Sequence, residues 1–232
     1  MKATPPVALR IIKFCLALTL LLSLQSCSHQ EEEGSVCLNI PSSVCQRLAA
    51  ARSVDEPEYT MTVFVTGDWE AKKDVLFSTE SLYGDGISVE FDGIRGGSKV
   101  RVVCLPEGES SYDTCLIGVS DEVTILGGQE NAANVQLSLL QITCNASANT
   151  MSLNRNLPGC TYKWYFKTTD EEGYSPLTDY KREVTLTTST NVCDFSDYII
   201  SASGFGYITS THLCTIYCNG TKIITLRPDV GS

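Results

Sequence analysis

From residue 36 onward the chain keeps returning to one pattern, short runs with every second residue apolar, broken by glycine-rich turns. In "YTMTVFV" (59–65), Tyr59, Met61, Val63 and Val65 fall on one side and Thr60, Thr62 and Phe64 on the other. "ISVEF" (87–91) sets Ile87, Val89 and Phe91 against Ser88 and Glu90. "NVQLSLL" (134–140) sets Val135, Leu137 and Leu139 against Gln136 and Ser138. "VCLNI" (36–40), "KVRVVC" (99–104) and "VTI" (123–125) add further runs. Side chains alternate faces along a strand, so this period of two, rich in Val, Ile, Thr and Tyr, predicts strands with one buried face. The punctuation between them, "GDW", "YGDG", "GIRGGS", "PEGES" and "LGGQEN", is turn-competent. Short strands spaced by roughly ten residues read as a sandwich, not as a parallel sheet crossed by helices.

A second cycle starts near residue 141. "QITCNAS", "TMSLN", "TYKWYF", "REVTLTT", "YIISAS", "LCTIYC" and "TKIITL" again space out as strands. In "CNGT" (218–221), Asn219-Gly220 separates two alternating runs, and both residues tolerate the positive φ that a type I′ turn requires. That is the clearest hairpin signal in the chain. It puts His212, Cys214, Ile216 and Cys218 on one strand face. The stretch 42–54, "SSVCQRLAAARSV", is compatible with a helix capped by Ser42 or Ser43, or with an irregular linker.

The first 34 residues have a different character. "MKATPPVALRIIK" carries Lys2, Arg10 and Lys13 and no acid, and "FCLALTLLLSL" (14–24) is nearly pure hydrocarbon. An apolar core of eleven residues is too short to cross a bilayer ~30 Å thick as a helix, which leaves a secretory signal. Leu24-Gln25-Ser26-Cys27 then resembles the lipobox of bacterial lipoproteins, with Gln25 departing from its strictest form. The resemblance implies cleavage before Cys27 and acylation of its thiol, each buried methylene adding ~0.8 kcal/mol of membrane affinity. "SHQEEEG" (28–34) reads as a solvated acidic tether that an anionic lipid surface repels. It also resembles the surface-export signal of some bacterial lipoproteins.

Charge narrows the partners. The chain has 17 Lys and Arg against 27 Asp and Glu, a formal charge of −10, and loss of residues 1–26 takes away three cations more. Nucleic-acid binding, which works by displacing phosphate counterions with cations, is disfavoured. Of eleven cysteines, nine lie beyond Cys27, at 37, 45, 104, 115, 144, 160, 193, 214 and 218. An exported protein oxidises such thiols where geometry allows, and an odd number leaves at least one without an intrachain partner. Cys104 and Cys115, flanking the turn-rich "LPEGESSYDT", are the expected local pair.

Two family resemblances follow. "YKWYF" (162–166) looks like the third strand of an immunoglobulin-like domain, with Trp164 as its core tryptophan. "DFSDYIISA" (194–202) is similar to the Asp…Tyr…Cys run of such domains, with Tyr198 in the tyrosine-corner place. Ile200 stands where the disulfide cysteine would be, so the likeness concerns the fold only. "VEFDGIRGGSKVRVVC" and "VTILGGQENAANVQLSL" together resemble the fimbrillin-like or transthyretin-like sandwiches of bacterial surface lipoproteins. The expectation is an all-β chain of two tandem antiparallel β-sandwich, immunoglobulin-like domains after a lipoprotein signal peptide. Its parts are a signal at 1–26, a tether at 27–34, a fimbrillin-like sandwich at 35–140 and an immunoglobulin-like sandwich at 141–232.

Catalytic patterns are sparse. The two histidines are His29 in the tether and His212 in a strand, so a Ser–His or Cys–His pair has little to draw on. Cys214 and Cys218 on one strand stand ~13 Å apart at ~3.3 Å per residue, too far for one tetrahedral zinc. The acids of "DEEG" (170–173) and "DYKRE" (179–183) sit in turns, and neither "YGDGIS" nor "EFDGIR" has the alternating acids of a calcium loop. No enzyme activity, cofactor or metal is expected. Loop aromatics Trp69 and Tyr83 are the candidate ligand contacts, able to stack on a sugar or anchor a protein.

The reading is therefore a surface-exposed, outer-membrane-anchored protein held through its N-terminal lipid. It acts as a non-enzymatic structural, adhesive or ligand-binding module with a protein or glycan partner. Two alternatives stand beside it. Arg52 resembles the arginine-directed processing point of some fimbrillins, and a cut there frees the "VCLNI" strand for assembly by strand donation. The other alternative is a glycan-binding lipoprotein of an uptake system.

Overall fold

The structure is a computed structural model that describes residues 32–50, 58–78, 86–106, 113–145, 148, 150–170, 183–197 and 208–228. Cys27, Arg52, Tyr83, Tyr198 and Ile200 lie outside the described residues.

Strands make up 68 % of the described chain and form three sheets, and the fold is an all-β sandwich. The first has three strands in the order β4 (Ile87–Arg95), β1 (Glu33–Ile40), β8 (Glu130–Ala133). The central sheet runs β13 (Val192–Asp194), β10 (Thr150–Leu153), β9 (Ser138–Asn145), β6 (Thr114–Val119), β5 (Lys99–Pro106), β2 (Glu58–Gly67), β3 (Ala71–Ser78). The short β7 (Val123–Thr124) pairs beside β5. The third sheet runs β12 (Glu183–Thr188), β11 (Cys160–Asp170), β14 (Ile208–Cys218), β15 (Thr221–Leu226). Pairing is antiparallel throughout except for β1 with β8, which is parallel. The helix α1 (Ser42–Ala50) starts on the Pro41 carbonyl, which accepts from the Val44 N–H at 2.9 Å, so the chain enters one residue earlier than the expected Ser cap. Among the described residues no helix is long and apolar enough to cross a membrane.

Two cores use opposite faces of the central sheet. Val36, Leu38 and Ile40 of β1, Val89, Phe91 and Ile94 of β4, and Cys45 of α1 meet Met61, Val63, Val65, Val100, Val102 and Cys104 of β2 and β5. On the other side, Cys160, Tyr162, Trp164 and Phe166 of β11 and Cys214, Ile216 and Cys218 of β14 meet Val103, Cys115, Ile117, Leu140 and Ile142. Because successive side chains leave a strand on opposite faces, β5 supplies both cores at once. Each of these side chains contributes about 1.5–3 kcal/mol by leaving water.

This arrangement revises three expectations. A domain boundary at 140/141 falls inside β9, whose Leu140 and Ile142 both pack in the second core, and strands from before that point wall it. The strand expected over 134–140 begins only at Ser138. Val135 and Leu137 pack against the first core, after which the chain crosses over and leaves Leu139 at 52 % exposure. The crossing passes over Gly118, where a Cβ would stand 2.3 Å from Val135 Cγ1 and 3.0 Å from the Gln136 carbonyl oxygen. Lastly, the tether expected to run through residue 34 ends sooner, because Glu33 and Gly34 already pair with Arg95 and Ile94 in β1.

Asn219 and Gly220 take φ of 47° and 90°, the positive pair that joins β14 to β15. Trp164 is fully buried, and its Nε1 donates to Thr188 Oγ1 at 2.8 Å across β12. Tyr162 is also fully buried, and its hydroxyl accepts from the Leu157 N–H at 2.7 Å.

Candidate functional site

The most constrained feature of the molecule is the slot that holds β1. Gly34 lies against the Leu126 carbonyl, with 2.5 Å between that oxygen and a hypothetical Cβ. Gly127 is pressed equally close to the Glu32 carbonyl, at 2.4 Å, and Gly86 to the Ile40 carbonyl, at 2.1 Å. Glycines thus admit the strand's backbone at both ends. Within the slot, β1 pairs with β4 from Glu33↔Arg95 to Ile40↔Ile87, and with β8 from Ser35↔Glu130 to Leu38↔Ala133. The buried Asn131 amide locks the entry. Its Nδ2 donates to the carbonyls of Ser35, Leu126 and Gln129 at 2.9, 3.2 and 3.1 Å, and its Oδ1 accepts from the Leu126 N–H at 3.0 Å. "VCLNI" was legible as a strand, whereas its central position was not.

Trp69 stands at a corner that Gly67 creates. There φ is +127°, and a Cβ would meet the Lys99 carbonyl at 2.4 Å. Asp68 pins the corner to the start of β5: its N–H donates to the Lys99 carbonyl at 3.0 Å, and its Oδ2 accepts from the Lys99 N–H at 2.8 Å. The indole is half-buried and meets Phe91 edge-on, with ring centroids 6.2 Å apart at 80°. Asp68, Trp69, Arg95, Gly96, Gly97 and Ser98 line an open depression of about 400 Å³. Both turns, "GDW" and "GIRGGS", were readable, but their adjacency depends on the register of β5 against β2 and on the β4–β5 turn. The other ligand candidate, Tyr83, lies outside the described residues.

The thiols divide sharply. Cys104 and Cys115 are both free and buried, and they point into different cores from opposite faces of the central sheet. The structure therefore does not bring the expected pair together. Burial pushes each of these thiols up to about 12, the behaviour of an inert small hydrophobe. Cys193 is likewise pushed up by burial, to about 11. His212 packs on Phe166 with ring centroids 5.0 Å apart, its Nδ1 has no hydrogen-bond partner among the described residues, and burial lowers its pKa, so it is a neutral core residue. Two guanidiniums serve the backbone: Arg155 donates to the carbonyls of Ile117 and Ser138 at 3.2 and 3.1 Å, and Arg101 to Ser120 at 3.1 Å. Among the described residues no three of His, Cys, Asp and Glu are grouped as metal ligands.

Comparison with protein families, with characterised proteins and with solved structures finds no match to this chain.

Proposed function

We propose that the protein is a lipid-anchored component of a bacterial cell envelope, acylated at Cys27, whose sandwiches work outside the cytoplasm as a non-enzymatic structural or adhesive module. The observation that carries this reading is the position of β1. It follows closely behind the acylation segment, lies mid-sheet, and is bonded along both edges. A pull on an N-terminal anchor then runs along a central strand and loads its bonds to β4 and β8 together in shear. An edge strand under the same pull would be held along one side only. The acidic balance of the chain and the glycine-lined seating of β1 suit a displayed, load-bearing domain. Protease shaving of intact cells, with mass spectrometry of the N-terminal peptide, tests it. An acylated N-terminal Cys27 and surface cleavage are expected; a chain beginning at residue 1, or an unmodified thiol at position 27, refutes it.

The same strand favours a second reading, a fimbrial subunit or anchor assembled by strand donation. A cut at Arg52 would separate β1 and α1 from the rest. Departure of β1 would expose Val89, Phe91 and Val63 and leave the edges of β4 and β8 open to a partner's strand. Protein recovered from cells with Arg52 still joined on both sides excludes this assembly route.

A further inference from the structure

Two of the buried thiols face each other across a strand pair. Cys160 opens β11 and Cys218 closes β14, and they are register partners. The Asn219 N–H donates to the Gly159 carbonyl at 3.4 Å. That bond joins the residues flanking the two cysteines, so Cys160 and Cys218 form a non-hydrogen-bonded pair, the kind whose Cα atoms stand ~4.5 Å apart. A disulfide accepts Cα separations of about 4.4–6.8 Å. Among the described residues no other two cysteines are register partners in adjacent strands.

Both sulfurs are buried in the folded chain, Cys218 fully and Cys160 to 6 % exposure, so an oxidant reaches them when the β14–β15 hairpin lifts from β2, and the neighbours of Cys218 then favour reaction there. The two thiols are close enough to share a hydrogen bond, and the Cys218 sulfur accepts from Thr66 Oγ1 at 3.4 Å. The Arg101 guanidinium lies alongside, close enough that a Cβ on Gly159 would stand 2.3 Å from its Nε. The Cys160 thiol, then Thr66 and Arg101, all hold the Cys218 thiol below its ordinary range, against the opposing effect of burial. The same hydrogen bond and burial push Cys160 up. One sulfur is thus poised as thiolate and its neighbour as the proton-bearing partner. Asn219 Nδ2 donates to the Thr66 carbonyl at 3.2 Å, and Thr221 Oγ1 to Glu70 at 2.7 Å. The pair therefore sits where the β14–β15 hairpin docks on the end of β2.

We propose that Cys160 and Cys218 are a disulfide site, closed by a thiol–disulfide oxidant, that crosslinks β11 to β14. The Cys218 thiolate attacks one sulfur of the oxidant's disulfide and expels the other as a thiolate. Cys160 then gives its proton to that thiolate, and its sulfur attacks Cys218 in the mixed disulfide, releasing the second thiolate, which takes up from solvent the proton that Cys218 had given up. Two protein thiols lose two electrons to form one S–S bond, and one oxidant disulfide is reduced to two thiols. The geometry is independent of location. Occupancy of the site in cells rests on the extracytoplasmic reading above.

The test uses the purified, reduced full chain equilibrated with a series of oxidised-to-reduced glutathione ratios, then alkylated and digested. Trypsin alone leaves Cys193, Cys214 and Cys218 on one peptide, so chymotrypsin, which cuts after Tyr217, is added. The expected product joins "NLPGCTY" (156–162) to "CNGTK" (218–222) at a lower oxidant ratio than any other linkage. Cys160→Ser and Cys218→Ser should each abolish it and leave the remaining thiol alkylatable, while Cys104→Ala leaves it unchanged. Separate alkylation of both fragments at every ratio, or preferential linkage of Cys218 to any other cysteine, overturns the proposal without needing a variant to fold. A bond that forms in glutathione but is missing from acid-quenched cells supports the pair and counts against the envelope location.

Discussion

Replacing Leu38 by Ala asks whether the two cores stand or fall together. Leu38 is 1 % exposed, mid-strand in β1, with Val89 of β4 and Ala133 of β8 as its register partners. Truncation removes three carbons, about 2.4 kcal/mol of transfer free energy, and the cavity left between two bonded neighbours raises the loss to about 3–4 kcal/mol. With a urea dependence of about 2 kcal/mol per M, the unfolding midpoint should fall by about 1.5–2 M. The chain has two tryptophans, one per core: Trp69 packs against the first and Trp164 lies inside the second. Leu38→Ala is therefore measured by fluorescence in two backgrounds, Trp69→Phe and Trp164→Phe, each against its own parent. Both reporters should shift by the same amount. The reason lies in β2 and β5, which give Met61, Val63, Val65, Val100, Val102 and Cys104 to the first core, and Phe64 and Val103 to the second. Losing the first core strips those strands of one face, and the second core then loses a wall. A Trp164 transition that stays in place while Trp69's moves would show two independent domains and refute the reasoning.

Three further outcomes are expected. Asn131→Ala leaves the Ser35 carbonyl and the Leu126 N–H without their side-chain partner and should destabilise by about 2–3 kcal/mol in chemical denaturation; a loss under about 0.5 kcal/mol would mean water replaces the amide. Gly118→Ala drives a methyl into Val135 and should lose about 1–3 kcal/mol, with much of it recovered in the Gly118→Ala/Val135→Ala double variant; additive losses would put the strain elsewhere. His212 has a folded pKa below its unfolded value because it is buried, so the unfolded chain takes up the proton first. Its contribution is neutral above the unfolded pKa near 6.5 and becomes destabilising as pH falls from there toward the folded value. Thermal midpoints should drop between pH 7 and pH 5, and His212→Phe should flatten that part of the slope; an unchanged slope would assign the acid sensitivity to other groups.

Sandwich architecture was written in the period of two, because a strand with one wet face must alternate to bury the other. The Asn219-Gly220 hairpin was equally local, since only its own two residues need positive φ. Legibility failed where partners changed along the chain. Over 134–140 the apolar spacing looks like one strand, yet Val135 and Leu137 serve the first core and Leu140 the second. β3 gave no signal because it is an edge strand: Lys72, Lys73 and Asp74 are exposed and Leu76 is 67 % exposed, so nothing in it has to alternate.

The sequence by itself therefore determined most of the strands and the face that many of them bury, where the tightest turn lies, and that the leader resembles an acylation signal. Only the tertiary structure decided the neighbours: β1 between β4 and β8, one central sheet shared by two cores, Trp69 beside Arg95, and Cys160 opposite Cys218 instead of Cys104 beside Cys115. Burial of a face is read residue by residue along the chain. Pairing is settled by which distant edges can satisfy each other's backbone while both faces stay dry, and no local window of residues contains that choice.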